Sequence, residues 1–260
     1  MKRRDAISAL LALNIPEDIA MDFPHLPSDT EALLVYGSRA RGDATPDSDV
    51  DILALVSNPR TTTYSGVVNV SFYTTQGLAT GIGTLFGSHL KRDSKIVWDQ
   101  HGRLSRALKS MGEVDTDRLF NRAKNMSTLF TNLDHDIPKY LPGLLRQARY
   151  LLRSCLYAQS IAVGKPCFSV RELAIRHQDH HLTQLLASRQ LDKPRIAELT
   201  ECLSWLRRLL GEFPVSENGS LEATIVNEWG RPSDTLSMAF MALGATGNGS
   251  DYAEVEKILL

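Results

Sequence analysis

A chain of 260 residues, 43% hydrophobic and 23% charged, carries enough apolar material for a real core, as one large domain or two modest ones. Its formal net charge of -1 gives no global field that would draw it to nucleic acid or an anionic membrane, although a local basic groove stays open to it. The three cysteines, Cys155, Cys167 and Cys202, are odd in number and show no paired spacing, which reads as small buried hydrophobes in a reducing compartment. No run approaches the roughly 18 apolar residues that a membrane span needs, so a cytoplasmic protein is expected.

The start, MKRRDAISALLALNIPED, imitates a signal peptide only briefly. Its apolar stretch runs into Pro16, Glu17 and Asp18 and fits an amphipathic first helix over Arg4–Leu13. Strand-like runs follow at EALLVYG, DVDILALV, GVVNVSFYT and SKIVWDQ. Helical patterns cover QGLATGIGTLFGSHLKR, before the last of these strands, and GRLSRALKSM after it. Near residue 112 the pattern changes, and everything beyond reads helical. Ser169 with Glu172 three positions on fits a capping box, and Ser233 and Asp234 open the last long helix similarly. The expectation is an α/β (α+β) unit over residues 1–112, followed by an all-α helical bundle over 113–260. The end, GATGNGSDYAEVEKILL, reads as a flexible tail: a Gly/Asn/Ser spacer and a short amphipathic segment bearing Tyr252.

The chemistry concentrates in LLVYGSRARGDATPDSDVDILAL, Leu33 to Leu55. Alternate residues of a strand share a face, so Asp49 and Asp51 project together while Val50 and Ile52 turn to the core. Two carboxylates on one half-buried face repel and lose hydration unless a cation joins them. Magnesium accepts one or two carboxylates completed by water and substrate phosphates. Ahead of them, Gly37 and Ser38 follow a strand directly, and backbone N–H groups at such a turn, with the Ser38 hydroxyl, suit an anion. Arg39 or Arg41 can add charge there, Ala40 is expected inward, and Ser48 can bond a carboxylate or the nucleotide. Together these features describe a nucleoside triphosphate held with magnesium.

GSRARG followed by SDVDILAL resembles the signature of the polymerase-β-like nucleotidyltransferase superfamily. That superfamily includes minimal nucleotidyltransferases, aminoglycoside adenylyltransferases, tRNA-tailing enzymes and defence-associated oligonucleotide synthases. NVSFYTTQGL and GTLFGSHLKRDSKIVWDQHGRL, with their LF-x-x-HL helix, are similar to a bacterial subgroup. The resemblance implies a small mixed sheet, then a helical domain. It implies Asp49 and Asp51 as catalytic ligands of one or two magnesium ions, and Gly37, Ser38, Arg41 and Ser48 around the nucleotide. The implied reaction moves a nucleoside monophosphate, AMP foremost, from ATP or another (d)NTP to a hydroxyl of a protein, nucleic acid or small molecule. Bacterial anti-phage defence or a toxin–antitoxin system is the implied setting, with a partner protein or homo-oligomer admitted.

One position departs from the pattern. Many members place a third acid in the next strand, and VVNVSFYT has Asn69 there, with Ser71 and Tyr73 on its face. An amide is no base at neutral pH. The chain therefore uses two carboxylates alone, borrows an acid, or binds nucleotide with weak turnover as a sensor. A second candidate is RHQDHH, whose Arg176 and His181 have the spacing of the RNase motif of HEPN domains; a polar turn between helices is the simpler account of these six residues. His180 and His181 lack partners for zinc. His89 and Lys91 fit either the nucleotide or a helix surface, and Trp98, Trp205 and Trp229 read as core or interface aromatics.

Overall fold

The apolar runs around Leu33 and Leu53 form the central strands of a five-stranded sheet in the computed structural model, which describes residues 2–46, 48–186, 193–231 and 233–244. The chain divides into two compact units, Met1–Glu113 and Val114–Leu260. In the first, α1 (Arg3–Ala12) and α2 (Glu17–Met21) precede β1 (Thr30–Tyr36), the short α3 (Gly37–Arg41) and β2 (Val50–Val56). Then come β3 (Thr63–Ser65), β4 (Val68–Tyr73), α4 (Thr75–Ala79), α5 (Leu85–Asp93), β5 (Lys95–Asp99) and α6 (Arg103–Ser110).

The sheet order is β3-β4-β2-β1-β5, with β2 and β4 parallel and the other neighbours antiparallel. Both faces are covered, which is why β1 and β2 read as continuous apolar runs. Leu33, Val35, Ile52 and Ala54 meet Ala6, Leu10 and Phe23 on one face. On the other, Ala32, Leu34, Leu53 and Leu55 meet Leu78, Leu90, Leu104 and Met111.

The single helix expected over Gln76–Arg92 is two. Gly83 takes φ +75, and Thr84 caps α5 by accepting the Gly87 N–H at 3.1 Å, just as Thr74 caps α4 through Gly77 at 3.0 Å. The five-residue α2 and three-residue β3 also lie outside the sequence expectation, being too short to show a period.

The second unit is helical among its described residues. It comprises α7 (Thr116–Met126), a 3₁₀ turn (Ser127–Phe130), α8 (Ile137–Ala162), α9 (Val170–Arg176), α10 (His181–Leu186), α11 (Ile196–Leu210), α12 (Leu221–Glu228) and α13 (Asp234–Leu243). Ser169 caps α9 and Ser233 caps α13. α8 bends at Tyr140, φ -122 and ψ 16, ahead of Pro142. Its Gly143 lies so close to α13 that a Cβ there would sit 1.9 Å from the Ala242 carbonyl oxygen. Arg122 of α7 clamps Asp234 with two bonds of 2.9 and 2.8 Å. Cys155, Cys167 and Cys202 are free and buried, and burial pushes their thiols up. No helix among the described residues is long and apolar enough to cross a membrane. Tyr252 lies outside the described residues.

Candidate active site

Strand register builds the site. Tyr36, last in β1, is paired with Asp51 of β2, and Asp51 is paired in turn with Asn69 of β4. Directly paired residues share a face, here the face covered by α4–α6, and Asn69 Nδ2 lies 3.4 Å from Asp51 Oδ1. Gly37 follows Tyr36 with φ +74, and a Cβ on it would meet Asp51 Oδ2 at 2.6 Å. Glycine is therefore required twice over, by its backbone and by the carboxylate beside it. The Ser38 carbonyl accepts the N–H groups of Gly42 (2.9 Å) and Asp43 (3.1 Å), closing α3, and Gly42 at φ +84 ends it. Ala40 is buried in the core.

The two acids differ in setting. Asp49 precedes β2 and is exposed, whereas Asp51 lies within the strand and is largely covered. Burial pushes the Asp51 carboxyl up to about 6; the Asn69 amide and Arg41 oppose this, while the Asp49 charge reinforces it. Burial also raises Asp49, against the Asn69 amide and Arg39. The one hydrogen bond to Asp51 among the described residues is the long one from Asn69. Such a pair fits a divalent cation. Among the described residues no group of three His, Cys, Asp or Glu side chains is assembled for a metal. A cation at this pair would take its other ligands from water and phosphate, as magnesium does.

The loop between α3 and β2 is tied from within. Arg39 donates to the Ser48 carbonyl through Nε (3.2 Å) and Nη2 (2.9 Å), and to the Pro46 carbonyl at 3.2 Å. Ser48 Oγ accepts the Thr45 N–H at 2.8 Å and meets Thr45 Oγ1 at 2.9 Å, so this hydroxyl shapes the loop that delivers Asp49. Arg41 pairs with Asp43 (3.2 Å) and Asp93 (3.6 Å) and donates to His89 Nε2 at 3.0 Å. Because guanidinium only donates, Nε2 accepts and the ring is neutral. Burial and the charges of Arg41 and Arg92 push His89 down to about 3. His89 also meets Tyr36 edge-on at 6.0 Å, and Phe86 packs on Tyr36 (6.1 Å) and Tyr73 (5.7 Å). Lys91 donates to the Met111 carbonyl at 3.1 Å.

The register thus brings Gly37, Ser38, Asp51 and Asn69 together, with Asp49 beside them, and turns Ser48 and Arg41 to neighbouring protein groups. Nothing in the sequence marks Arg39 as the loop's tie, since Ser48 and Pro46 become its partners only when the loop closes.

In the helical unit, Arg176 bonds Glu172 and the Lys165 carbonyl, while His181 Nδ1 meets Glu201 Oε1 at 2.8 Å. Each member of that motif therefore has its own local partners. Trp205 is buried, whereas Trp229 is 69% exposed.

The glycine turn and the two carboxylates thus lie together at one end of a small mixed sheet. The family model described as the nucleotidyltransferase domain matches residues 20–100. The N-terminal unit therefore carries a nucleotidyltransferase domain, which supports the resemblance to the polymerase-β-like superfamily. A solved structure, a nucleotidyltransferase-like protein from Exiguobacterium sibiricum 255-15, is 15% identical over 70% of this chain and 69% of its own, with a TM-score of 0.31. No curated protein matches the chain.

Proposed function

We propose that the N-terminal unit transfers a nucleoside monophosphate, AMP foremost, from a magnesium-bound nucleoside triphosphate to a hydroxyl group. The observation that carries this reading is the placement of Gly37 against Asp51, with the Asp49 charge close enough to act on Asp51 and the Asn69 amide shared by both acids. The Gly37–Ser38 turn would receive the triphosphate, and its missing Cβ lets phosphate approach both backbone and carboxylate. Asp49 and Asp51 would hold magnesium, which supplies charge neutralisation at the attacking and leaving oxygens. The acceptor oxygen bonds to the α-phosphorus. The bond from that phosphorus to the β-phosphate oxygen breaks, and pyrophosphate leaves with the electron pair. The hydroxyl proton passes to solvent, because the Asn69 amide has no basic atom. Arg39 keeps Asp49 in place by holding the loop before it, and Arg41, paired with Asp43 and Asp93, supports α3.

A bacterial defence or toxin–antitoxin setting is part of the proposal and rests on the likeness of the LFGSHL segment noted above. The test is incubation with α-labelled ATP, magnesium and a cognate lysate. Wild type should label an acceptor, and the Asp49→Ala/Asp51→Ala variant should not; equal labelling would refute the catalytic assignment. Asn69 favours a second reading, a nucleotide sensor with weak turnover. Tight ATP binding without pyrophosphate release would select that reading.

A further inference from the structure

We propose that Arg207 and Arg208, near the end of α11, form a binding site for single-stranded nucleic acid: their N–H edges take backbone phosphates, and the outer plane of Arg208 takes a base. Binding here goes beyond the transferase reading above and does not depend on it. Arg208 Cζ stands 3.7 Å from the centre of the Trp205 ring, the distance of two planes in contact, and Arg207 Cζ lies over Phe213 at 4.8 Å. Both rings are buried and both arginines are exposed, so each guanidinium covers its ring from the solvent side. Arg122, Arg149 and Arg176 of the same unit hold carboxylates. The guanidiniums of Arg207 and Arg208 make no hydrogen bond or ion pair among the described residues, which leaves their donors to a ligand.

Trp205 is a costly support. Its Nε1–H is buried without an acceptor, a penalty that leucine or phenylalanine in its place would avoid. What the indole adds is the aromatic face that holds a cation best. His177 meets the same ring edge-on at 5.4 Å. An arginine laid on a fixed ring has already given up part of its rotamer freedom, so less is lost when a ligand arrives. The acids of α11 are engaged elsewhere: Glu198 by Arg149 and Arg195, and Glu201 by His181. Glu212 is exposed and pairs with neither guanidinium among the described residues. Lys124 Nζ comes within 3.9 Å of the place a Gly211 Cβ would take, where a cation offsets the partial negative charge of the helix end. Two guanidiniums therefore remain for an anion. Adjacent helix positions do not face each other, so they meet separate phosphates. A carboxylate fills such a fork as well as a phosphate does, but only a flat ligand uses the outer plane of Arg208. An unpaired base stacks on a guanidinium plane, whereas a duplex hides its base faces.

The probe is a fluorescein-labelled octa-uridylate, titrated with the full-length chain in EDTA without nucleotide and read by anisotropy between about 50 and 200 mM salt. Two phosphate contacts on a single strand predict a slope of log K against log salt of about -1.4, and Arg207→Ala should reduce it by about 0.7. Arg208→Ala should weaken binding about 5- to 100-fold, the loss of one stacked base. Arg208→Lys keeps the charge and loses the plane, so it should keep the slope yet bind about fivefold or more weakly. Circular dichroism of each variant checks the fold. A wild type that binds no oligonucleotide overturns the proposal. So does wild-type affinity in Arg208→Ala, or in Arg208→Lys, which would reduce the contact to charge alone. Polyglutamate that competes as well as unlabelled octa-uridylate would assign the surface to an acidic protein and overturn it too.

Discussion

Replacing Asp51 with asparagine should stabilise the metal-free protein while destroying its response to magnesium and nucleotide. Burial is the main reason the carboxyl moves from 3.8 to about 6. That gap of about two pH units, at ~1.4 kcal/mol each, makes the ionised form cost at most about 3 kcal/mol near neutral pH. The amide would keep the size of the side chain and lose its charge. The sign follows from linkage. A carboxyl whose folded pKa is raised weakens the fold fully above about pH 6, and the penalty disappears as pH falls toward 3.8. Asp51→Asn should therefore melt about 3 °C or more above wild type at pH 7.5, and the difference should fall to about a third by pH 4.5 and close below about pH 3.5. Magnesium with a non-hydrolysable ATP analogue should raise the wild-type melt and leave the variant where it was. The measurement is a set of thermal melts followed by circular dichroism. A variant that melts at or below wild type at pH 7.5, or a difference that does not shrink between pH 7.5 and pH 4.5, would refute the reasoning.

Gly37→Ala should cost about 1–3 kcal/mol, because the backbone has φ +74 and the new Cβ meets Asp51 Oδ2 at 2.6 Å; urea denaturation reads it, and an unchanged midpoint would contradict the close approach. Arg39→Ala should leave the melt within about 1 kcal/mol yet lower labelling about tenfold, because it frees the Ser48 and Pro46 carbonyls ahead of Asp49. Arg39→Lys should recover only part of that, since an ammonium cannot reproduce the guanidinium's bonds. Asn69→Asp should raise kcat about tenfold or more if proton removal from the acceptor limits turnover, with a new acidic limb in the pH profile; an unchanged kcat and profile would show that two carboxylates suffice.

Much of the site was legible because the same burial that makes β1 and β2 apolar on both faces leaves Asp49 and Asp51 conspicuous inside the run. The pattern could not show that the two acids differ. Asp51 is enclosed because it pairs with both Tyr36 and Asn69, whereas Asp49 stands before the strand. The break between α4 and α5 had its signals in Gly83, Thr74 and Thr84, but the apolar period continued across them. Ser48 and Arg41 carry groups suited to a nucleotide, and only the folded loop shows the former on Thr45 and the latter on Asp43, Asp93 and His89.

Asn69 is the position where these constraints meet. Its amide lowers the cost of ionisation at both Asp49 and Asp51, as no carboxylate in the same place could do. An aspartate there would add a third negative charge to a face where burial already opposes the existing two. The amide therefore favours a charged, cation-ready pair in the resting protein, and it withholds a base from the arriving hydroxyl. Proton removal must then come from solvent or from the acceptor's own surroundings, not from the β4 side chain beside Asp51.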